Sequence, residues 1–416
     1  MPFFRRSRSP HPHKETLKYT KEGGLILSDK RAKTLGLEAD TPVDAYAWQQ
    51  RLEISANIHS LAKVYIEASS LCNLNCDKCV RTYWQEDCGH MSQVVFDALI
   101  AQLQEINTLQ TVMFGGIGEP TLHPRLPEMI GRVKGLGAAV EITTNGTLLT
   151  DDMLRSLKEA RLDTLWVSVE TAMAEEATPL MERLVRLKEM NQKAGHRVDL
   201  GLVFVADKNN VHLLKRLHHL TAKLDARRVM ITNLIPYTRE QQELSLCQES
   251  ALEDVYSLVK KQAFVHIPRF DFLPEIQETL FTLLRYNQNN NLSQSYRLHE
   301  NERRCPFVSD RSTFIRWDGS VCPCMALLHQ HDTWTRDTRR EIQAQVFGSL
   351  MDNTLDDIWQ SEAYHSFRDR VHDFTFSPCH LCGGCSDLES NRQDCFGNEA
   401  PVCGACLWAY NSVRCP

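Results

Sequence analysis

From residue 63 onward the apolar positions fall into short continuous runs separated by longer stretches with helical spacing. The runs "KVYIEA" (63–68), "TVMF" (111–114), "VEITT" (140–144), "TLWVSVE" (164–170), "VDLGLVFVA" (198–206) and "RVMITN" (228–233) predict strands. Between the first two, "SQVVFDALIAQLQEI" sets Phe96, Leu99, Ile100, Leu103 and Ile106 on one helical stripe. Helical patterns also cover 126–134, 151–160, 177–194, 211–224 and 249–261. Strands and helices in alternation predict a parallel sheet with right-handed crossovers. A closed eight-unit barrel takes about 250 residues, whereas the alternation here runs only over 63–262. The expected fold is α/β, a partial (β/α)6 barrel, with its chemistry at the C-terminal ends of the strands.

The alternation stops on both sides of this region. Residues 1–60 are expected to be an N-terminal appendage, partly disordered, in which "GGLILSDKRAKTLGL" predicts a short strand and helix. The barrel is expected over 61–275, followed by a polar linker over 276–300 that contains "RYNQNNNLSQSYR". Residues 301–416 predict a cysteine-rich α+β domain. There "FIRWDGSVCPC" is a hairpin signal turning at Asp318-Gly319, and "TLDDIWQSEAYHSFRDRVHDF" an amphipathic helix or helix pair.

Composition narrows the function. A net charge of −6 argues against a nucleic-acid partner. No run approaches the roughly 18–20 apolar residues that span a bilayer, so no membrane is expected. The basic opening "MPFFRRSRSPHPHK" is followed by polar sequence, does not read as an export signal, and makes a cytoplasmic location the expectation. The fifteen cysteines are the unusual feature. In a reducing compartment they point to metal more than to disulfides. Three lie at 72–79, ten from Cys305 onward, and Cys88 and Cys247 stand apart.

"CNLNCDKC" places Cys72, Cys76 and Cys79 straight after the first strand. Thiolates hold iron–sulfur cubes, and three of them leave one iron of a [4Fe–4S] cluster open. "GGIGEP" (115–120) follows the second strand, its glycines allowing close backbone approach and Glu119 adding a negative charge. "TTNGTLL" follows the third strand and "VSVE" ends the fourth. This set resembles the radical SAM superfamily. The resemblance implies that Cys72, Cys76 and Cys79 bind a site-differentiated [4Fe–4S] cluster whose open iron takes S-adenosyl-L-methionine. It implies that the segment with Gly115, Gly116, Gly118 and Glu119 receives the ammonium group and that Asn145 lies beside the cofactor. Ser168 and Glu170 would contact ribose or carboxylate, with Asn233 on the adenine side. Glu170 stands where members usually carry Asp, and Lys78 where an aromatic or apolar residue usually meets adenine. The implied reaction is one-electron cleavage to methionine and a 5′-deoxyadenosyl radical, with a ferredoxin or flavodoxin as low-potential donor. No motif assigns a general base or a partner for the substrate radical.

The later cysteines are Cys305, Cys322, Cys324, Cys379, Cys382, Cys385, Cys395, Cys403, Cys406 and Cys415. Their dense runs suit iron–sulfur or zinc ligation. The arrangement Cys305…Gly319-x4-Cys324, then close pairs, resembles the SPASM extension and implies one or two auxiliary [4Fe–4S] clusters. Structural zinc is the alternative, and the partition of these thiols stays open. "ITNLIPYTRE", "SVCPCMALLH", "FSPCHLCGGC", "DCFGNEAPVCGACLWAY" and the final "RCP" are similar to the radical SAM maturases associated with tungsten-containing aldehyde:ferredoxin oxidoreductases. That narrower resemblance implies a client metalloenzyme or its pterin cofactor. A peptide- or protein-modifying enzyme, thioether-forming or sulfatase-maturase-like, is the alternative. A non-catalytic electron carrier would leave "GGIGEP" and "SVE" without a purpose. His90, His123, His212, His218 and His219 show no ligand spacing and are expected to be solvated or core residues.

Overall fold

The computed structural model describes residues 58–84, 86–170, 173, 178–193, 195–247, 304–380 and 385–416. It also describes the short strands 18–19, 24–26, 43–44, 257–260, 263–266 and 293–295. The chain divides into two compact units, Met1–Ile58 and His59–Pro416. In the first, Lys18–Tyr19 pairs antiparallel with Gly24–Ile26, which pairs with Val43–Asp44. The helix expected beside that strand lies outside the described residues, as does most of the expected linker over 276–300.

In the second unit six parallel strands occupy the predicted positions. They are β1 (Lys63–Ile66), β2 (Thr111–Phe114), β3 (Ala139–Thr144), β4 (Thr164–Ser168), β5 (Asp199–Ala206) and β6 (Arg228–Asn233). Each pairs in parallel with the next. The crossovers are α1 (Gln93–Leu103), α2 (Leu126–Lys134), α3 (Asp151–Glu159), α4 (Pro179–Asn191) and α5 (Leu217–Leu224). Ser92, Thr150 and Thr178 cap α1, α3 and α4 by accepting from the third residue on, satisfying otherwise orphaned amides. Alternate strand residues (Val64, Ile66, Val112, Phe114, Ile142, Val167, Phe204 and Ile231) are fully buried beneath these helices. On the concave side Trp166 Nε1 donates to Glu141 Oε2 at 2.9 Å, and Arg228 reaches Glu141 Oε1 at 3.0 Å. The ring of Trp166 fills the space left by Gly201. This polar and aromatic plug closes the N-terminal end of the barrel and leaves the opposite end for chemistry.

The sheet is wider than the six predicted strands. After α6 (Arg239–Leu244), the strand Ala263–His266 adds in parallel to β6, and Ser257–Lys260 and Ser293–Ser295 follow antiparallel. The helix expected over 249–261 is therefore corrected at its end, where the short run "SLVK" is a strand paired on both sides. The other edge is more consequential. Beyond α7 (Pro306–Ser309), β7 (Ser312–Ile315) lies parallel to β1, with Phe314 opposite Tyr65. The expected hairpin returns through β8 (Ser320–Cys322), its turn held by Ser320 N donating to Asp318 Oδ1 and by Gly319 at φ +91°. A separate hairpin follows, β9 (His331–Thr335) with β10 (Thr338–Ile342). Then β11 (Gly348–Ser349) pairs with β8, and α8 (Leu355–Gln360) and α9 (Glu362–Asp373) cover that edge. Twelve strands thus form one sheet, and the cysteine-rich region belongs to the same compact unit as the barrel.

Aromatic packing holds the added edge. Tyr65 and Phe314 stack at 4.1 Å with planes 2° apart, and Phe307 meets both edge-on. Tyr65 also donates to the Pro416 carbonyl at 2.8 Å, as does Lys63 at 3.0 Å. Arg414 N donates to Thr232 and Asn233 Nδ2 to the Ser412 carbonyl. Residues 412–416 therefore bond to both β1 and β6, bridging the open flank of the partial barrel. No helix among the described residues is long and apolar enough to cross a membrane.

Phe314 is fully buried in this joint. Phe314→Ala is expected to lower unfolding stability by about 3–5 kcal/mol, read from urea midpoints under anaerobic conditions. A loss below about 1 kcal/mol, the level of a surface substitution, would show that the stack does not hold the edge.

Candidate functional site

The chain leaving β1 makes a loop pinched at its neck, where Ser70 N donates to Gly89 O at 3.0 Å and Met91 N to Ala68 O at 2.8 Å. Cys72, Cys76 and Cys79 lie in it, the second exposed and the others half-buried. Cys79 N donates to Cys76 O, and Thr82 Oγ1 donates to the same carbonyl at 2.7 Å. Burial raises the thiol pKa of Cys76, and neighbouring Cys72 raises it further. Burial also raises Cys79, with Cys76 and Cys72 adding to the shift. A bound cation would let Cys76 and Cys79, whose ionisation burial opposes, become thiolates together. All fourteen described cysteines are free thiols.

Two further loops converge on this one. Gly118 lies so close to the Ser69 carbonyl that any side chain would overlap it, and Glu119 N donates to Leu71 O at 2.8 Å. Gly115 lies against Thr143, and Gly116 against the side chain of Glu67. Glu119 is buried at 2% exposure. Its Oε1 accepts from Thr121 N (3.0 Å), Thr121 Oγ1 (2.5 Å) and Thr144 Oγ1 (2.7 Å), and its Oε2 from Asn145 N (2.8 Å). A carboxylate offers about four lone-pair sites, so this one fastens the β2 loop to the end of β3. Asn145 Nδ2 donates to Asn73 Oδ1 at 3.0 Å and faces Cys72 Sγ at 3.9 Å. Asn73 returns a bond to Thr147 at 2.8 Å. The ends of β1, β2 and β3 are thereby one hydrogen-bonded surface.

Ser168 is half-buried at the end of β4. Burial raises the Glu170 carboxyl to about 7, although Val205 N donates to it and Lys78 lies near. Lys78 pairs with Asp207, which is fully buried after β5. Asp207 also accepts from Asn209 N (2.8 Å) and Asn210 N (3.0 Å). The lysine that stands in place of an aromatic residue thus latches the cysteine loop to the far side of the barrel mouth. Gln241 of α6 donates to Asp77 O, and Tyr83 donates to the same carbonyl at 2.6 Å, bracing the loop from below. Asn233 is buried and donates to Ser412 O at 2.7 Å, so its amide is committed to the 412–416 segment.

A buried charge chain escaped the sequence reading. His329, 1% exposed, meets Glu86 Oε2 through Nδ1 at 2.8 Å and Glu67 Oε1 through Nε2 at 3.0 Å. Arg316 reaches Glu86 at 3.0 Å, and Trp84 packs on the imidazole at 4.2 Å. The partners are 243 and 262 residues apart along the chain, so no spacing announces them. Glu67 at the end of β1 offered one signal, a carboxylate directly following an apolar strand.

The later cysteines separate into groups. Cys305, Cys324, Cys403 and Cys406 line one cavity together with Phe307 and Arg340. Burial raises Cys305 to about 12 and raises Cys324 and Cys403 well above the ordinary thiol value, with each feeling other members of the set. Arg340, 4% exposed, bonds Val402 O at 3.2 Å and supplies positive charge beside them. Among the described residues no three cysteine sulfurs lie within 4.8 Å of one another. A zinc ion with Zn–S bonds of about 2.3 Å would draw its thiolates to about 3.8 Å. No three of these four sulfurs therefore lie at single-ion spacing. Cys379 and Cys395 meet through Ser377, Cys395 Sγ lying 3.1 Å from its hydroxyl. Cys385 is exposed nearby in sequence, and Cys382 lies outside the described residues. Cys322 is fully buried in β8 and does not line the cavity. Cys415 accepts from Trp408 Nε1 at 3.1 Å, and burial raises it to about 11.

The charge chain has a pH signature. Burial lowers His329, but its bonds to Glu67 and Glu86 more than reverse this and raise its pKa. Burial raises Glu86, but His329, Gln330 N and Arg316 bring it down to about 2. The imidazolium's contribution to stability is full below its unfolded value of about 6.5 and is lost as pH rises through the higher folded value. The Glu86 contribution is full above its ordinary value of 4.5 and fades toward about 2. Urea midpoints are therefore expected to fall more between about pH 6 and 9 in the parent than in His329→Gln. Parallel falls would refute the assignment.

Comparison with known proteins agrees with this geometry. A family model described as the radical SAM superfamily matches residues 66–199, and the SPASM iron–sulfur cluster-binding domain matches 305–386. The chain is 29% identical over 371 residues to the tungsten-containing aldehyde ferredoxin oxidoreductase cofactor-modifying protein of Pyrococcus furiosus, covering 85% of this chain and 96% of that one. It is 25% identical over 358 residues to the PqqA peptide cyclase of Gluconobacter oxydans, covering 81% and 88%. The fold is shared with native anSMEcpe solved with bound AdoMet, at a TM-score of 0.53 and 16% identity over 84% of this chain and 95% of that one. The chain thus carries a radical SAM domain, with a SPASM iron–sulfur cluster-binding domain built onto the edge of its barrel.

Proposed function

We propose that this protein is a radical S-adenosylmethionine enzyme that matures a tungsten oxidoreductase or its pterin cofactor. The observation that carries the client is the near full-length match, 96% of the relative's length, to a protein named for modifying that cofactor. The observation that carries the chemistry is the surface formed by the loops after β1, β2 and β3.

Cys72, Cys76 and Cys79 would hold three irons of a [4Fe–4S] cluster and release their protons on binding it. With S-adenosylmethionine on the fourth iron, such a cluster supplies reductive cleavage to methionine and a 5′-deoxyadenosyl radical. The chain's own part is placement. Gly118 lets the β2 loop lie directly on the neck of the cysteine loop, and Glu119 fixes that loop through its four donors. Gly115, Gly116 and Asn145 then border the cofactor on one side, and Ser168 and Glu170 on the other. A carboxyl near pKa 7 can accept a hydrogen bond when ionised or donate one when protonated. Asn233 serves the adenine side through the segment it anchors.

For the auxiliary clusters we assign Cys305, Cys324, Cys403 and Cys406 to one, and Cys379, Cys382, Cys385 and Cys395 to the other. Cys322 and Cys415 are left out of both sets. A low-potential ferredoxin or flavodoxin is the reductant this reading requires. A second reading, modification of a peptide, is favoured by the match to a peptide cyclase over 81% of the chain.

Protein prepared anaerobically, with about twelve irons per chain, is expected to form 5′-deoxyadenosine from S-adenosylmethionine and dithionite, while Cys76→Ala forms none. Adding it to an immature tungsten oxidoreductase should raise that enzyme's activity. Deoxyadenosine formation without any gain in client activity would remove the client and favour a peptide substrate. Equal formation by Cys76→Ala would remove the radical reading.

A further inference from the structure

The two groups of later cysteines meet along one seam. Gly404, between Cys403 and Cys406, lies so close to the Ser377 carbonyl that any side chain would overlap it. His380 N donates to the Gly404 carbonyl at 3.3 Å. Ser377 belongs to the other group, its hydroxyl lying 3.1 Å from Cys395 Sγ and bonding Cys379. The loop that carries Cys379 and the loop that carries Cys403 and Cys406 are therefore in direct backbone contact.

Arg340 of β10 is set beside this seam. It is 4% exposed and lines the cavity of Cys305, Cys324, Cys403 and Cys406. Its Nη2 donates to Val402 O at 3.2 Å, and its Nε to Ser390 O at 3.4 Å. One guanidinium is thus tied to the residue before Cys403 and to the segment between Cys385 and Cys395. Among the described residues no carboxylate pairs with it. Asp394, beside Cys395, is taken by Ser377 N, Phe396 N and Asn398. Burial lowers the arginine's pKa, and the groups that oppose this are Cys406, Cys379 and Cys403, members of both sets. A buried cation with no anion beside it is costly. Protonated thiols would leave Arg340 in that position, whereas iron-bound thiolates on both sides supply the missing charge.

We propose that Arg340 is a tuning cation shared by the two auxiliary clusters, its fixed charge raising the reduction potential of both. This rests on the auxiliary-cluster assignment made above. Reduction adds one electron, supplied by the low-potential donor, and breaks no bond, so negative charge grows beside a cation that is already in place. Arginine suits the task because it stays protonated even when buried. Arg370 adds to the field at Cys403, and its contribution is common to the parent and to every variant below.

The test is an anaerobic dithionite titration of iron-loaded protein, followed by EPR, in the parent, Arg340→Met and Arg340→Lys. At about twelve irons per chain, Arg340→Met is expected to lower both auxiliary signals by at least tenfold in the reduction equilibrium, about 59 mV for one electron. Arg340→Lys should stay near the parent, and the signal that S-adenosylmethionine shifts should move in neither. Unmoved auxiliary signals in Arg340→Met, or movement of only one, would overturn the shared role while leaving the clusters standing. About four irons in the parent would instead remove the auxiliary clusters, and the proposal with them. Arg340→Gln, which keeps a donor for the Val402 carbonyl, is read if Arg340→Met loses iron. If both neutral variants lose it, Arg340→Lys decides: auxiliary iron kept supports the charge, and iron lost shows that shape alone matters and overturns the proposal.

Discussion

The parallel pairing of β1 with β7 is the contact on which the rest of this molecule depends. β1 has β2 on one side and β7 on the other, so the strand that ends in Cys72, Cys76 and Cys79 is also the strand onto which the SPASM region is built. The stack of Tyr65 on Phe314 fills the joint, and the 412–416 segment bonds to β1 and β6 across the open flank. His329 extends the joint beyond the strand ends, carrying one bond to Glu67 and another to Glu86 in the cysteine loop. A rigid frame of this kind gives the two cysteine-bearing regions a fixed separation.

Charge sets the second constraint. Each cysteine group is partly or wholly buried, and burial holds thiols protonated. Metal binding and deprotonation are therefore one event, and the clusters contribute to the stability of the domain that binds them. The polar atoms around them are already engaged. Glu119 is filled by four donors, Lys78 by Asp207, and Arg340 by the carbonyls of Ser390 and Val402. At the end of β4 Ser168 is half-buried, and Glu170 just beyond it accepts from Val205 N.

The six strands and five of the helices were legible because buried parallel strands read as apolar runs and surface helices as stripes. "SLVK" was not, since a four-residue run with two apolar positions fits a strand as well as a helical turn. The cysteine triplet was legible because its ligands are local. The grouping of the later thiols was not, because Cys305 and Cys324 meet Cys403 and Cys406 only through the turn of the β7–β8 hairpin and the return of the chain. Cys322 shows the limit most plainly: alternation would put it on one face with Cys324 two residues on, but the strand ends at Cys322 and Cys324 already caps the 3-10 turn that follows. Lys78 read as a departure from the family pattern, and its partner Asp207 became visible only once β5 was set beside the loop.

The central claim is that the triplet keeps one iron open for S-adenosylmethionine while the other cysteines hold closed clusters. The most direct measurement is the EPR spectrum of the dithionite-reduced protein, with and without S-adenosylmethionine, in the parent and in Cys76→Ala. The account predicts that the cofactor shifts one cluster signal in the parent, and that the variant lacks that signal and its shift but keeps the others. A parent spectrum that S-adenosylmethionine leaves unchanged, or a shift that survives in the variant, would contradict it.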